Sequence, residues 1–405
     1  MLVPALIILT LLGSLLFARV IYRLGLIRIP DPARRIGCID GLRGYLALAV
    51  VIHHMFIWLY FIKVHVWKAP PGNFIANLGP TAVAVFFMIT AVLFYPKMLS
   101  RLSDREWIAF FVSRLFRLTP LLWIASIAVA AVVLAQDRVP LLFTRESGFR
   151  PMLQWLSFYG TPDLFGYPHT DRIVANVTWS LSYEWGFYLC IPAVAYLRAF
   201  LAGRMQPTTF LFGLFAYFEW VIYRNYVGPR YYILFVAGLL VAEAIRNPRI
   251  VILLRSPWAA AVGLIALFSE LFFCPTAFGA FPPILLAIFF APVAAGNSYF
   301  KILSQPGSIV LGEVSYGIYL LHGIVLYLTF NFVTLPSQFL LMPLLAVVVI
   351  SGAGLAHALI EAPAIGLGHR LAKSLQNSTN SSLLSHPADT RSVQAINVPL
   401  RRPVP

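Results

Sequence analysis

Long apolar segments alternate with short polar ones along most of the chain, and this alternation predicts membrane helices. A helix needs about 20 apolar residues to cross roughly 30 Å of hydrocarbon, and about eleven segments approach that length. They are residues 2–22, 43–62, 76–95, 119–136, 177–197, 208–224, 230–245, 257–273, 281–296, 309–330 and 338–359. Because the segment from 230 is short, we expect about ten to eleven transmembrane helices in an all-α polytopic integral membrane protein.

The apolar pattern divides the chain into three parts. Residues 1–37 contain the first predicted transmembrane helix and a cytoplasmic loop, 38–372 contain the remaining spans, and 373–405 form a tail. The tail is rich in Ser, Asn and Pro and lacks apolar periodicity, so we expect it to be disordered. A long loop, residues 136–176, is either a cap over a substrate or a passive connector.

Composition and charge agree with a membrane protein. Of the 405 residues, 60% are hydrophobic and 11% are charged, whereas soluble proteins carry about 25% charged residues. The net charge of +15 does not indicate nucleic-acid binding, because no basic soluble domain is visible. Lys and Arg concentrate in loops that lie inside if the N-terminus is outside, so we expect a cytoplasmic C-terminus and a cytoplasmic tail.

Ionisable residues inside the predicted spans are the candidate functional residues, because placing them in a membrane is costly. Arg43 follows Asp40 at the cytoplasmic end of its helix, and His54 lies eleven residues after Arg43. That spacing places His54 about 16 Å deeper, on nearly the same helix face. The pair suits an anionic ligand whose reactive end reaches mid-membrane. The alternatives are snorkelling for Arg43 and a structural hydrogen bond for His54.

Two further groups carry charge within or beside predicted spans. Arg114 and Arg117 are three residues apart and therefore share one helix face. Paired guanidinium groups suit phosphate, although a membrane-anchoring role is the alternative. Glu184 lies about two turns into a span. It is either a functional carboxylate or one half of a buried ion pair.

Polar and aromatic residues around these positions complete the candidate set. Trp179 and Ser182 precede Glu184 and are candidates for contact with a substrate, although Trp is also a common interface anchor. His322 lies in the middle of a later span, three residues after Tyr319. A structural hydrogen bond between the two is the alternative to a functional role. No local ligand spacing indicates a metal site, and the three cysteines are scattered.

A set of short motifs follows in a fixed order along the chain. They are Asp40-Gly41-Leu42-Arg43 followed by His54, Phe86 to Leu93, Arg114 with Arg117, Trp179 to Glu184, Ser315 to His322, and Glu361 with Pro363. In this order and spacing, the chain resembles the acyltransferase family 3 proteins, membrane O-acyltransferases that modify bacterial polysaccharides, lipopolysaccharide, glycans and small glycosides. The motifs span about four fifths of the chain. The resemblance implies that residues 38–372 are the membrane acyltransferase domain and that the helix in 1–37 is an extra N-terminal one before the family's usual ten-helix core. Thr90-Ala91 stands where the family usually has Ser-Gly, and Trp185 replaces a frequent second acid.

The resemblance implies a bacterial inner-membrane enzyme that moves an acyl group, acetyl being the expected one, from cytoplasmic acyl-CoA to a hydroxyl of a glycan or glycolipid. Arg43, Arg114 and Arg117 would hold the CoA phosphates. His54 would be the general base or a transient acyl carrier. The implied environment is the lipid bilayer, with no nucleic acid and no metal.

The remaining candidate residues would support this chemistry. Glu184 would orient His54 and stabilise its imidazolium. His322 and Tyr319 would donate to the oxyanion. Asp40, Trp179 and Ser182 would line the substrate site.

Two other function classes would also place Arg, His and Glu within membrane spans. A multi-span transporter or flippase for a polysaccharide precursor would move its substrate unmodified. A non-catalytic scaffold of a polysaccharide-export assembly would tolerate loss of His54. The oligomeric state does not follow from the sequence.

Overall fold

The structure is a computed structural model and describes residues 2–27, 29, 37–100, 102–136, 144–201, 207–223, 229–332 and 341–383. Within these ranges the chain is helical, without a β-strand. Its helices are α1 (Leu2–Arg23), α2 (Gly37–Val64), α3 (Asn73–Leu99), α4 (Asp104–Leu134), α5 (Arg150–Leu156), α6 (Trp179–Leu201), α7 (Pro207–Tyr223), α8 (Tyr232–Ala244), α9 (Pro248–Leu254), α10 (Pro257–Phe273), α11 (Pro282–Ala294), α12 (Pro306–Glu313), α13 (Ser315–Phe332), α14 (Met342–Ala356) and α15 (Ala362–Leu383).

The predicted membrane segments are largely helical where the structure describes them. Among the described residues, five helices are long and apolar enough to cross a membrane, namely α1, α2, α3, α4 and the continuous helix from Met342 to Gln376. The count rises to seven if the bent pairs α9–α10 and α12–α13 each form one span. The predicted ten to eleven spans are not confirmed. One reason is that α8 and α11 have 13 residues each, about 20 Å of helix.

Helices α2 and α3 form the centre of the bundle. They are the most buried of these five helices, since 61% of the most apolar stretch of α2 and 67% of that of α3 is buried inside the bundle. Helix α2 packs against α3, α12 and α13, and α3 also packs against α6 and α8. Polar side chains on α2 therefore face other helices rather than lipid, which removes most of the cost of placing them at membrane depth.

Helices α2 and α12 approach each other more closely than ordinary side chains allow. A Cβ added at Gly312 would lie 1.9 Å from the carbonyl oxygen of Asp40, and one added at Gly44 would lie 2.4 Å from Cβ of Leu311. Small residues at such crossings let two helix backbones touch. The contact fixes the end of α2 that carries Asp40 and Arg43.

The described part of the long loop, residues 144–178, is packed against the bundle. Trp155 is buried, and its indole N–H donates to the carbonyl of Pro162 over 2.8 Å. The backbone at Val174 lies against Gly323 of α13, where an added Cβ would be 2.2 Å from it. The loop is thus an ordered cover over that end of α13. Whether it contacts a substrate stays a prediction.

The polar C-terminal region differs from the expected disordered tail. Helix α15 packs against α4 and continues to Leu383, so residues 373–383 are helical. The physical reason is that a helix already nucleated by packing propagates at little cost through polar residues. The rest of the predicted tail, residues 384–405, lies outside the described residues. Helix α1, predicted as an addition to the main domain, packs against α12 and α14.

We expect Gly312→Ala to lower the melting temperature of the purified protein, because the added methyl group meets a backbone atom that cannot rotate away. Overpacking of this kind costs about 1–3 kcal/mol. Gly352→Ala is the matched control, since nothing lies within 4 Å of its Cβ position and alanine favours a helix. Thermal unfolding in detergent, followed by intrinsic fluorescence, measures both. Equal melting temperatures would contradict the close contact of α2 with α12.

Candidate active site

A cavity of about 570 Å³ lies between α2, α3, α4, α6 and α13. Its charged lining residues come from three of these helices. They are Asp40, Arg43, Arg114, Arg117 and Glu184. The fold therefore brings together five predicted site residues that are far apart in the sequence. Three positive and two negative side chains give the cavity a net positive lining.

The arginines reach the cavity from α2 and α4. Arg43 lies one turn after Asp40, with Nη1 3.9 Å from the Asp40 carboxylate. The Arg114 guanidinium stacks 5.1 Å from the centre of the Phe94 ring and donates to the Ser113 hydroxyl over 3.1 Å. Its Nε is buried and has no hydrogen-bond partner among the described residues. This is an arrangement that favours an anionic ligand.

Glu184 of α6 faces the arginines across the same cavity. Its carboxylate accepts a hydrogen bond from the hydroxyl of Tyr188, one turn later on the same helix. The two side chains meet because residues four apart lie on one helix face. The negative charge of Glu184 offsets part of the positive charge that the three arginines bring to the cavity.

His54 of α2 and His322 of α13 form a hydrogen-bonded pair, with His54 Nδ1 3.1 Å from His322 Nε2. Each ring is also anchored to its own helix. His54 Nδ1 is 3.0 Å from the carbonyl of Val50, and His322 Nδ1 is 3.1 Å from that of Ile318. A carbonyl oxygen only accepts, so each Nδ1 carries a hydrogen. When His322 is neutral, its Nε2 then accepts from His54.

These bonds assign the tautomers of the pair. Neutral His54 carries its hydrogen on Nδ1, which leaves the lone pair on Nε2. His54 Nε2 has no hydrogen bond within the described residues, and the His54 side chain is only partly buried. His322, by contrast, is fully buried. The arrangement presents one imidazole nitrogen as a base and keeps the second ring behind it.

Two predicted roles differ from this geometry. His322 was expected to donate to an oxyanion, but its Nδ1–H is bound by Ile318 and its Nε2 faces His54. Glu184 was expected to orient His54, but the hydrogen bonds of the described chain join His54 to Val50 and His322 instead. Glu184 instead accepts a hydrogen bond from Tyr188, four residues later on its own helix. This bond satisfies the carboxylate without a partner from another helix.

Tyr319 links the cavity to the histidine pair, although neither His54 nor His322 is among the lining residues. Tyr319 lines the cavity, and the centre of its ring is 6.3 Å from that of His322, one turn later on α13. The Tyr319 hydroxyl donates to the carbonyl of Val177 over 2.9 Å and lies 2.7 Å from the Ser180 hydroxyl. A ligand filling the cavity would extend from the arginines towards the imidazole pair.

Two predicted substrate-binding residues lie away from the described lining of the cavity. Trp179 packs in an aromatic group with Phe87, Tyr183 and Tyr231. Ser182 donates to the carbonyl of Phe158 in the covering loop. Their role in substrate contact remains a prediction that the geometry of the cavity does not support.

Several lining residues were missing from the predicted set, and helical spacing could have found some of them. Tyr188 lies four residues after Glu184 and therefore shares its face. Ser180, within the Trp179 to Glu184 motif that the sequence singles out as a candidate lining segment, shares that face too, whereas Ser182 points away. Tyr316 donates to the carbonyl of Leu118 over 2.7 Å, a contact between α13 and α4 that no local pattern reveals.

The neighbouring histidine, His53, has a structural role. Its Nδ1 donates to the carbonyl of Ile75 over 2.7 Å, and its ring packs on Gly79, where an added Cβ would lie 2.5 Å away. Among the described residues, no group of three His, Cys, Asp or Glu side chains lies close enough together to hold a metal ion.

Comparison with known proteins gives one match. Searches of curated proteins and of solved structures each found no similar protein. A family model described as an acyltransferase domain matches residues 36–360. This range includes the cavity, the three arginines and both histidines of the pair. The chain therefore belongs to acyltransferase family 3.

Proposed function

We propose that this membrane acyltransferase is an O-acyltransferase that uses cytoplasmic acyl-CoA, with acetyl as the acyl group, and a hydroxyl of a glycan or glycolipid as acceptor. The supporting observation is a cavity lined by three arginines and by Tyr319, which lies one helical turn before His322 of the imidazole pair. In that pair the hydrogen bonds of His54 within the described residues involve Nδ1 and leave Nε2 as a base. The arginines match a polyphosphate, and the imidazole matches proton transfer at the other end of the donor.

The arginine end of the cavity would face the cytoplasm, with the N-terminus outside. Basic residues are concentrated in the connections at that end, as expected for cytoplasmic loops. Acyl-CoA would place its phosphates against Arg43, Arg114 and Arg117, and its pantetheine arm would extend along α2. His54 lies about 16 Å deeper than Arg43 on that helix, so the arm would carry the thioester towards His54.

In the direct reaction, His54 Nε2 takes the proton of the acceptor hydroxyl while the oxygen attacks the thioester carbonyl. The C–S bond breaks, an ester forms, and the CoA thiolate receives the proton from the His54 imidazolium. His322 accepts a hydrogen bond from His54 Nδ1 throughout and so keeps Nε2 directed at the substrates. In the two-step alternative, His54 Nε2 attacks the thioester, the C–S bond breaks and the CoA thiolate leaves. The acceptor hydroxyl then attacks the acyl group, the N–acyl bond breaks, and the freed Nε2 takes the hydroxyl proton and passes it to the thiolate.

A transporter or flippase is the other function class, and the family membership favours acyl transfer over it. The two differ in their products, since a transporter leaves its substrate unmodified. Formation of a new ester from a labelled donor therefore separates them directly.

We expect His54→Ala to reduce acyl transfer by at least about a hundredfold, because the proton acceptor is removed. The measurement uses membranes supplied with labelled acetyl-CoA, from which CoA release and label in the glycan fraction are scored. His369→Ala, which removes an exposed histidine of α15, should leave transfer unchanged. Full transfer by folded His54→Ala protein would exclude His54 as the base.

We expect His322→Gln to keep more activity than His322→Phe. The glutamine oxygen can still accept from His54 Nδ1, whereas phenylalanine leaves that N–H with only the Val50 carbonyl. The loss should lie in kcat rather than in the KM for acyl-CoA, because the phosphates bind elsewhere. Both rates are measured on purified protein of matched melting temperature. Equal rates for the two variants would mean that His322 only fills space.

We expect Arg117→Ala to lower kcat/KM for acetyl-CoA by roughly tenfold or more, the loss typical of one charged hydrogen bond. The same variant should use acetyl-pantetheine, which has no phosphate, as well as wild type does. Arg105→Ala removes an exposed charge from the same helix and is the control. An equal loss with both donors would show that Arg117 does not act on the phosphates.

A further inference from the structure

A second and larger cavity, of about 1440 Å³, lies between α8, α10 and α11 and shares no lining residue with the first. It exceeds the roughly 300–1,000 Å³ of sites for drug-sized ligands. Its body is apolar, with walls that include Phe215, Leu240, Ile250 and Ile288. We call it the α8–α11 groove. A body of this size and composition suits long hydrocarbon chains.

One end of the groove is polar and carries Arg198, Glu243 and Arg246. Glu243 is already engaged by the Tyr95 hydroxyl and by Arg246, whose Nη1 is 2.9 Å from its carboxylate. Arg198 donates to the carbonyl of Leu99 over 3.1 Å, and its Nε has no hydrogen-bond partner among the described residues. Two guanidinium groups thus face one carboxylate.

The connection beside this polar end adds positive charge. Arg249 and Arg255 are exposed on or next to α9, so the mouth of the groove has a positive surplus. The same end holds the last residues of α3, α6 and α8, because Tyr95 contacts Glu243 and Arg198 contacts Leu99. An anionic group would be attracted to the mouth.

The groove opens towards the bilayer. Helix α9 is bent by 71° from α10, the geometry of a helix lying along an interface before a membrane segment. Ile252 and Leu253 of α9 are 74% and 67% exposed, and Trp258, which lines the groove, is 81% exposed. Such large apolar side chains at a rim indicate contact with lipid rather than water.

We propose that the α8–α11 groove binds one anionic phospholipid, with its acyl chains between α8, α10 and α11 and its phosphate at Arg198 and Arg246. The charge pattern distinguishes this occupant, since an apolar body with a basic mouth is complementary to an amphiphile with an anionic head. Arginine binds phosphate through paired N–H donors, and basic pockets between membrane helices select anionic head groups. The inference does not depend on the acyl-transfer reaction.

The test is native mass spectrometry of the full chain in detergent, titrated with phosphatidylglycerol or phosphatidylcholine. We expect one phosphatidylglycerol to bind about tenfold more tightly than phosphatidylcholine, because both carry the phosphate but only phosphatidylcholine adds a choline cation, which the two arginines repel. The double variant Arg198→Ala, Arg246→Ala should bind both lipids equally. Arg105→Ala with Arg370→Ala removes two exposed arginines elsewhere and should keep the preference.

A second variant tests the apolar body. Ala287→Trp fills the groove from α11 and should abolish retention of either lipid while the arginines remain. A preference for phosphatidylglycerol that survives the double variant would overturn the proposal. Displacement of the lipid by inorganic phosphate alone, or a dimer mass that disappears in Ala287→Trp protein, would also overturn it in favour of a phosphate site or a contact between two copies.

Discussion

The site depends on the hydrogen bond between His54 and His322, because it holds the two rings together once the carbonyls of Val50 and Ile318 have fixed which nitrogen of each ring carries a hydrogen. Each Nδ1–H is held by a carbonyl four residues earlier on its own helix, so neither ring can turn without leaving a buried donor unpaired. The hydrogen bond of the pair therefore forms only if α2 and α13 do not slide past each other along their axes. Helix α12 packs on α2 through the contact of Gly312 with Asp40 and leads directly into α13. The glycine contact thus supports the histidine pair from a distance.

A second consequence is that α2 carries both halves of the chemistry. Arg43 meets the cavity near one end of the bundle, and His54 lies three turns deeper on the same rigid helix. In the proposed reaction, the distance between the phosphate-binding arginine and the base would then be set by helix geometry rather than by a loop. Burial of α2 among α3, α12 and α13 keeps its polar side chains away from hydrocarbon.

Features that follow from helical periodicity could be predicted from the sequence. The helical character of the membrane segments was predicted, and Arg114 and Arg117, three residues apart, both line the cavity as residues of one helix face should. Glu184 lines the same cavity, whereas its position two turns into a span entered from outside predicts contact with His54. Contacts between distant helices could not be predicted, and the His54–His322 bond joins residues 268 positions apart. The local partner of Glu184, Tyr188, lies at i+4, a spacing that helical periodicity indicates. The number of spans stays a prediction, because hydropathy does not reveal where short helices such as α8 and α11 end.

An imidazole behind the base, where soluble hydrolases often use a carboxylate, has a physical rationale at membrane depth. A buried carboxylate beside a neutral histidine is an uncompensated charge in the resting enzyme, and its desolvation is costly. An imidazole partner is neutral at rest and still accepts the Nδ1–H that fixes the tautomer. In the proposed reaction, positive charge develops on His54 only while a proton is held. The acidic residue of the cavity, Glu184, instead lies with the arginines, where opposite charges and the Tyr188 hydroxyl compensate it. The fold thus separates permanent charge from transient charge along the length of α2.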